Sequence, residues 1–391
     1  MAKVIVSLIG DQTLPNIIFI KSRSYDKLVF VTTEYSERQG ITENMLKALG
    51  VHENAKHIIK ISVLENHLLD IEKKLQSLYD NQFLSEGDEI LVNVTGGTKP
   101  MHTAAYNYFK DKKNTEIVYV PIRKNSYLTF HPEFSDNEKT IEYYVNVKEY
   151  LISYGISLES NLENISKNNQ TALNNKSCAE KLFHQYLSEN GINTLDCLSQ
   201  SLRKERDRKT EKLEISQLPP DLIKDIPSEL QEKKDWNKED IRFLTGDWFE
   251  HYVFNILLEL LPNSKGEIMT GIQIKKGNAS NELDVVFTYN NGIYLIECKT
   301  GNLMDDNPGD NETDYKARDF TNDVLYKGAA LRKQFGLGVE YYLVTTAQNI
   351  FKQNKIKENV KNRCESLQVK LVTLLELPEL KSYFQKNIFD K

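Results

Sequence analysis

The stretch Asn281-Glu282-Leu283-Asp284, followed twelve residues later by Ile296-Glu297-Cys298-Lys299-Thr300, sets three carboxylates and one amine at strand spacing. Successive side chains of a strand point to opposite faces, which predicts Glu282 and Asp284 on one face and Leu283 and Val285 on the other. Between the two segments, Val286-Phe287-Thr288-Tyr289 and Ile293-Tyr294 flank Asn290-Asn291-Gly292, whose residue types accept positive φ, so the whole reads as a β-hairpin. Folding the hairpin brings Asp284 opposite the Glu297/Lys299 end, with Glu297 and Lys299 on one face and Cys298 turned into the core.

Carboxylates and an ammonium beside apolar strands are costly unless paired, and the usual partner is a hard divalent cation held by oxygen ligands. Such a cation polarises a phosphodiester and acidifies water, while a lysine orients that water or offsets charge in the transition state. An isolated E-x-K triplet is ordinarily a solvated strand; the ordered set of helix Glu, strand acid, hairpin and apolar-flanked E-C-K is far less common. Asp284 with Glu297-Cys298-Lys299 resembles the D…(D/E)-x-K signature of the PD-(D/E)xK nuclease superfamily. That resemblance implies that Asp284, Glu297 and the carbonyl of Cys298 bind Mg²⁺ or Mn²⁺ and that Lys299 positions the attacking water. It places a further acid on the helix before the strands, where Glu250 of Thr245-Gly246-Asp247-Trp248-Phe249-Glu250-His251 would hold a second metal or its water. Glu282 would assist from the same strand face, and Lys327, on a helix expected over 314–335, falls where the superfamily often carries an additional polar residue.

Outward from this centre, 391 residues at 40% hydrophobic and 27% charged predict a soluble globular chain of about two to three domains. Met1-Ala-Lys-Val-Ile-Val-Ser-Leu-Ile-Gly is too short an apolar run to span a membrane and reads as a first strand, not a signal peptide. Cys178, Cys197, Cys298 and Cys364 lack C-x-x-C spacing, so neither a zinc site nor a disulfide framework is indicated, and a reducing cytoplasm fits best. The net charge of −6 argues against coating nucleic acid by bulk attraction, which confines any such binding to a cleft. Arg203-Lys204-Glu205-Arg206-Asp207-Arg208-Lys209 is a candidate for its rim, though mixed charge of this kind is more often a solvated helix.

Residues 2–130 alternate strand and helix patterns, which predicts a Rossmann-like parallel sheet covered on both faces. Ligands of such sheets bind beyond the carboxyl ends of the strands. Those ends carry Gly10-Asp11-Gln12-Thr13, then Thr32-Thr33-Glu34, then Asn93-Val94-Thr95-Gly96-Gly97-Thr98-Lys99-Pro100-Met101. In the last of these, paired glycines admit a ligand close to the backbone, two threonines offer hydroxyls, Lys99 offers charge and Pro100 suits a helix start, where anions are favoured. Neither G-x-x-x-x-G-K-[ST] nor G-x-G-x-x-G is present, so ordinary P-loop or dinucleotide chemistry is not supported.

A Rossmann-like domain with a polar loop after its first strand and a T-G-G-T-K loop after its fourth resembles a CARF domain, the cyclic-oligoadenylate sensor of type III CRISPR systems. Joined to a PD-(D/E)xK domain, it resembles the CARF-nuclease effectors of the DUF1887 type. The resemblance implies a cytoplasmic, homodimeric, cyclic tetra-adenylate-activated nuclease that cleaves single-stranded RNA or DNA and nicks plasmid DNA in antiviral defence. It places Gly10, Asp11, Gln12, Thr13, Thr33, Thr95, Gly96, Gly97, Thr98, Lys99 and Met101 around the cyclic ligand. A CARF transcription regulator would have no reason to keep Glu250, Asp284, Glu297 and Lys299 together. A module that only binds or degrades the messenger, its nuclease domain inactive, stays open.

The expected division is a sensor over 1–146, a connector over 147–176 whose Asn/Ser-rich composition suits a linker, and a nuclease domain over 177–391. Its first part, 177–246, is patterned as helices, either a winged-helix-like module or a subdomain of the nuclease. Gly301 to Thr313, rich in Asn, Asp and Gly, reads as an exposed loop.

Overall fold

A computed structural model of the chain describes residues 1–52, 55–188, 191–224, 226–301 and 320–390, so the loop expected over 301–313, beyond Gly301, and residues 314–319 of the helix expected over 314–335 lie outside the described residues. The amino-terminal sheet is built from β1 (Lys3–Leu8), β2 (Lys27–Thr33), β3 (Ile58–Val63), β4 (Glu89–Asn93), β5 (Thr115–Tyr119), β6 (Ser126–His131) and β7 (Ser135–Thr140), in the spatial order β3-β2-β1-β4-β5-β6-β7. The first five strands in that order run parallel, and the Val/Ile-rich runs of β1 and β2 at its centre are buried on both faces, as a helix-covered sheet requires. Ile5, Leu28 and Phe30 pack beneath the helices Leu14–Lys21 and Ile41–Leu49, whereas Val4, Val6, Val29, Val31 and Val92 pack beneath Leu68–Asp80 and Lys99–Phe109. The antiparallel pair β6–β7 escapes the sequence pattern because β7 is Ser-Asp-Asn-Glu-Lys-Thr, a polar edge strand with no apolar face to register.

The remainder contributes β8 (Ser157–Leu158), a small pair β9 (Lys212–Glu214) and β10 (Asp235–Asn237), then β11 (Ile268–Lys276), β12 (Ala279–Tyr289), β13 (Gly292–Lys299), β14 (Val339–Thr345), the two-residue strands β15 (Phe351–Lys352) and β16 (Lys355–Ile356), and β17 (Val369–Val372). The main sheet has the order β17-β14-β13-β12-β11-β8, with β11, β12 and β13 an antiparallel meander and β13, β14 and β17 parallel. Asn290 and Asn291 both take positive φ, 47° and 61°, so the turn joining β12 to β13 has the left-handed pair that matches hairpin twist. One sheet face is covered by the helix Trp248–Leu260 through Phe249, Val253 and Leu257, the other by the helix Phe320–Gln334 through Val324, Leu325 and Leu331. Helices of the 177–246 region share the first of these layers: the Phe183 ring stacks on Tyr252 at 3.8 Å, and Leu182, Tyr186, Leu202 and Trp236 are buried in the same core. This region therefore shares one core with the Trp248–Leu260 helix and the second sheet.

The 147–176 stretch, expected as a connector from its Asn/Ser-rich composition, is folded and packed into the core. Val147–Ser153 is a helix with Val147, Tyr150 and Leu151 buried, β8 adds an edge strand to the second sheet, and the helix Leu162–Asn174 lies on β11. Its asparagines are structural: Asn168 donates to Gly271 O at 2.8 Å, while Asn169 Oδ1 accepts Thr270 N–H at 3.1 Å. They serve the backbone where Gly271 turns to a φ of +58°. A continuous core runs from Ile5 and Ile18 through Tyr150 and Leu151 to Met269, Ile272 and Leu343, and Asn291 at the hairpin tip donates to Asn125 Oδ1 and Tyr143 O. No helix among the described residues is long and apolar enough to cross a membrane.

Candidate active site and ligand loops

The chemistry-bearing strands part company at the site. The β12–β13 ladder ends at the Val285–Ile296 pair; beyond it β12 stays with β11, while β13 continues along β14 as far as Lys299–Thr345. Cys298 N–H, left without a strand partner on that side, donates to Asp284 Oδ2 at 2.8 Å. The fork also breaks the simple alternation expected there: Leu283 joins the core layer of Met269 and Leu295, whereas Val285 joins the opposite layer with Phe287. The backbone turns its faces at Asp284, opposite the left-handed Gly271, and the two apolar neighbours do not share one side.

Asp284 and Glu297 are 7% and 3% exposed, which makes their charges expensive. Lys299 Nζ lies 2.8 Å from Glu297 Oε1 and 3.2 Å from both Asp284 Oδ2 and the Cys298 carbonyl. Burial, and then the nearby Glu297 charge, push the Asp284 carboxyl up to about 6. Glu250, in the first turn of the Trp248–Leu260 helix, is raised well above the carboxylate range by burial and by Asp284 and Asp247. Burial opposes the Lys299 charge, yet the Asp284 and Glu297 carboxylates hold the ammonium well above its ordinary value. Lys327 Nζ reaches Glu297 Oε1 at 3.6 Å from the opposite helix. Glu282 is exposed and lies close enough to add to the field on Glu250. Cys298 is buried with its thiol in the core, so only its carbonyl faces the cluster.

The structure thus gathers Glu250, Asp284, Glu297, Lys299 and Lys327 around one fork, with Glu282 at its rim. Among the described residues no group of three or more His, Cys, Asp and Glu side chains encloses an ion unaided. Two carboxylates and a carbonyl nonetheless form a hard-oxygen set that leaves remaining positions to water and phosphate, the manner in which Mg²⁺ is commonly held. Burial first, and neighbouring carboxylates second, disfavour the ionised forms of Asp284 and Glu250, and a bound cation would offset both costs, so the donor set fits. From the rim candidate, Arg203 Nη2 reaches Thr300 O at 3.4 Å.

At the other end, the loops after β1 and β4 meet backbone to backbone: a Cβ on Gly10 would lie 2.8 Å from Gly97 N, and one on Gly96 would lie 2.1 Å from Leu8 O. Asn16, buried within an apolar helix, ties them by donating to Leu8 O at 2.9 Å and accepting from Asn93 Nδ2 at 2.8 Å. Asp11, Gly97 and Lys99 face solvent, with Gly10, Gln12, Thr95, Gly96 and Thr98 partly so. Thr98 caps the helix Lys99–Phe109, and Thr95 Oγ1 accepts Val120 N–H at 2.7 Å. Thr13, Thr33 and Met101 are buried: the Thr13 hydroxyl donates to Ser153 O at 2.9 Å, Thr33 caps the next helix through Ser36 N–H, and Met101 lies under Gly97. Contact of these three side chains with a ligand would require the loops to move.

A Rossmann-like domain whose loops converge at one end, packed on a mixed sheet with a forked acidic centre, defines a sensor–nuclease class of protein. Residues 4–150 match the Card1 CARF domain and residues 237–389 the Card1-like endonuclease domain. The chain therefore carries an amino-terminal CARF domain and a carboxyl-terminal Card1-like endonuclease domain. No curated protein sequence matches it significantly. Among solved structures, the Vibrio cholerae protein VC1899 superposes with a TM-score of 0.70 at 20% identity over 98% of this chain and 97% of its own. Can2 from Sulfobacillus thermosulfidooxidans, in complex with cyclic tetra-adenylate, gives 0.67 at 20% identity over 98% and 96%. A type III CRISPR defence DNA nuclease activated by cyclic oligoadenylate gives 0.54 at 14% identity, covering 93% of this chain and 52% of that one.

Proposed function

We propose that the protein is a metal-dependent nuclease of type III CRISPR defence, switched on by cyclic tetra-adenylate and acting on single-stranded RNA or DNA, including nicking of plasmid DNA. The observation that carries this reading is the fork at Asp284, where two buried carboxylates and a carbonyl converge on Lys299, in a chain that also carries a CARF domain. A bound Mg²⁺ or Mn²⁺ would supply Lewis-acid polarisation of the phosphate and a lowered pKa for water. Asp284, Glu297 and the Cys298 carbonyl would hold it. Lys299, fixed between both carboxylates, would orient the attacking water and offset charge on the phosphorane-like transition state. Glu250 would serve a second ion, Glu282 would bear on it from the rim, and Lys327 would contact the substrate phosphate from the facing helix.

In the sensor, Gly10, Asp11, Gln12, Thr95, Gly96, Gly97, Thr98 and Lys99 would contact the cyclic ligand directly, with a homodimer presenting two copies across a two-fold axis. Thr13, Thr33 and Met101 would shape those loops from beneath. The test incubates labelled RNA and plasmid DNA with Mn²⁺, with and without oligoadenylate rings of graded size. Cleavage that depends on both the metal and the four-membered ring supports the assignment; cleavage indifferent to every ring removes the sensor role.

A further inference from the structure

The segment that follows the Lys327 helix is held by the amino-terminal domain, chiefly at Leu337. Gln12 Oε1 accepts Leu337 N–H at 2.9 Å, and Arg123 Nε donates to Leu337 O at 2.8 Å, with Nη2 reaching Val339 O at 3.4 Å. Both main-chain polar atoms of Leu337 are therefore held by the amino-terminal domain, although the residue as a whole is 56% exposed and contributes little burial. Tyr150 Oη donates to Phe335 O at 2.9 Å, and Gly336, at φ +76°, lies so close to Tyr154 that a Cβ there would come within 2.4 Å of the ring. Arg123 itself sits at φ +64°, a left-handed conformation more usual for Gly or Asn, in the turn that follows β5.

Each side of this segment leads to the same carboxylate. Towards the amino terminus it continues the helix whose Lys327 approaches Glu297 and whose Gly328 packs on Tyr341 without room for a Cβ. Towards the carboxyl terminus it enters β14, which pairs in register with β13 and sets Leu343 beside Glu297. Gln12 lies in the loop whose Gly10 abuts Gly97, so one short loop touches both the candidate ligand site and the nuclease.

We propose that Gln12 and Arg123 are positioning residues for the nuclease: by holding Leu337 they fix how the Phe320–Gln334 helix, and with it Lys327, stands against Glu297. A ligand that moves the 10–12 loop alters this hold and so changes the active centre. The inference rests on the reading of the 10–13 and 95–99 loops as the ligand site. A ligand shifts such an arrangement only by its difference in affinity for the two states, and contacts shared by both sites are where that difference can be expressed.

The test uses the full-length protein with Mn²⁺, a labelled single-stranded oligonucleotide and cyclic tetra-adenylate, comparing wild type with Arg123→Ala and Arg123→Lys. Arg123 lies outside both the ligand set and the catalytic set. Arg123→Ala is expected to lower activator-stimulated kcat at least about fivefold with KM for the oligonucleotide within about twofold. Arg123→Lys, able to donate to Leu337 O alone, recovers part of the loss. Amide exchange over 334–339 is expected to respond to the activator in the wild type and to lose that response in Arg123→Ala. A wild type that cleaves without regard to the activator removes the underlying functional reading. A wild type that responds, beside an Arg123→Ala variant with the same kcat and the same exchange response, or one altered in KM alone, overturns the positioning role. Should Arg123→Ala fail to fold, Arg123→Lys decides: an activation ratio and exchange response equal to wild type overturn the role, and reduced values support it.

Discussion

Asp284 Oδ2 accepts the Cys298 N–H at 2.8 Å across the point where β12 and β13 separate, so the carboxylate takes the place of a missing strand partner. Its orientation is thus set by the sheet, and the strand carrying Glu297 and Lys299 is referenced to the same atom. A hydrogen bond to an ionised acceptor in so buried a place is among the stronger ones available to the fold.

Asp284→Asn keeps an oxygen to accept from Cys298 but removes the charge, and Glu297→Gln does the same beside Lys299. Both variants are expected to fold and to bind cyclic tetra-adenylate, while cleavage falls by about 100-fold or more for want of the ionised oxygens. Turnover in Mn²⁺ measured beside ligand binding by calorimetry checks this; unchanged cleavage in both would refute the site.

The same Asp284 carboxyl is raised to about 6 by burial and by Glu297, and this has a sign for stability. Between about pH 4 and 6 the native chain holds a proton that the unfolded chain releases, so metal-free stability falls as pH rises through that window and stays low above it. Asp284→Asn removes the titration and should be more stable than wild type at pH 8 by roughly 1–3 kcal/mol, with the advantage shrinking towards pH 4. Thermal melts in EDTA at pH 4.5 and 8 decide it, and parallel profiles for the two proteins would contradict the account.

Lys327 stands 3.6 Å from Glu297 on a side chain that is 42% exposed, a geometry that contributes little to stability. Lys327→Ala should therefore leave the melting temperature nearly unchanged while lowering cleavage by about 3- to 30-fold, and Lys327→Arg should retain more activity. Equal rates for Lys327→Ala and wild type would leave the residue a solvated lysine.

In the sensor, Lys99 is exposed, whereas the Thr98 hydroxyl accepts Met101 N–H and donates to Glu65 O at 2.7 Å. Lys99→Ala should raise the activator concentration for half-maximal cleavage about tenfold at constant thermal stability, as expected for a lost charge-assisted contact to phosphate. Thr98→Ala should combine a weaker response with a loss of about 1 kcal/mol from the missing cap. Thr98→Ser, which keeps the hydroxyl, should restore both. A Lys99→Ala dose response superimposable on wild type would remove Lys99 from the ligand site.

How much of this was legible in the sequence depended on whether a pattern was local. The Asn290-Asn291 turn, the buried runs of β1 and β2, and the helix bearing Glu250 each announce themselves over a few residues, and each is present. The change of face at Asp284 does not, because it arises where two ladders diverge and where Gly271, on another strand, takes a left-handed φ. Asn168 and Asn169 read as linker residues by composition, yet they satisfy the irregular backbone of β11, a partnership about a hundred positions away. Gln12 was legible as a polar loop residue after the first strand; its bond to Leu337 was not, and Arg123 carried no signal beyond its place after a strand.

The continuous core bears on whether the domains can be separated. A chain cut at residue 177 would lose β8, the helix Leu162–Asn174 and the buried Tyr150 and Leu151, leaving Met269, Ile272, Ile274 and Leu283 without their covering layer. Uncovering even four such side chains costs roughly 6–12 kcal/mol at 1.5–3 kcal/mol each, as much as the whole stability of an ordinary domain. The fragment 177–391 is therefore expected to be insoluble or molten, and its lack of activator response would say nothing about signalling. A fragment starting near residue 144 keeps the Val147–Ser153 helix, β8 and the Leu162–Asn174 helix, but exposes the face of that first helix that met Leu14 and Met45. It should be recovered folded only at reduced stability, with near-ultraviolet circular dichroism and a cooperative melt as the measure. If 177–391 instead melted cooperatively near the full-length temperature, the shared core would not be what holds the two halves together.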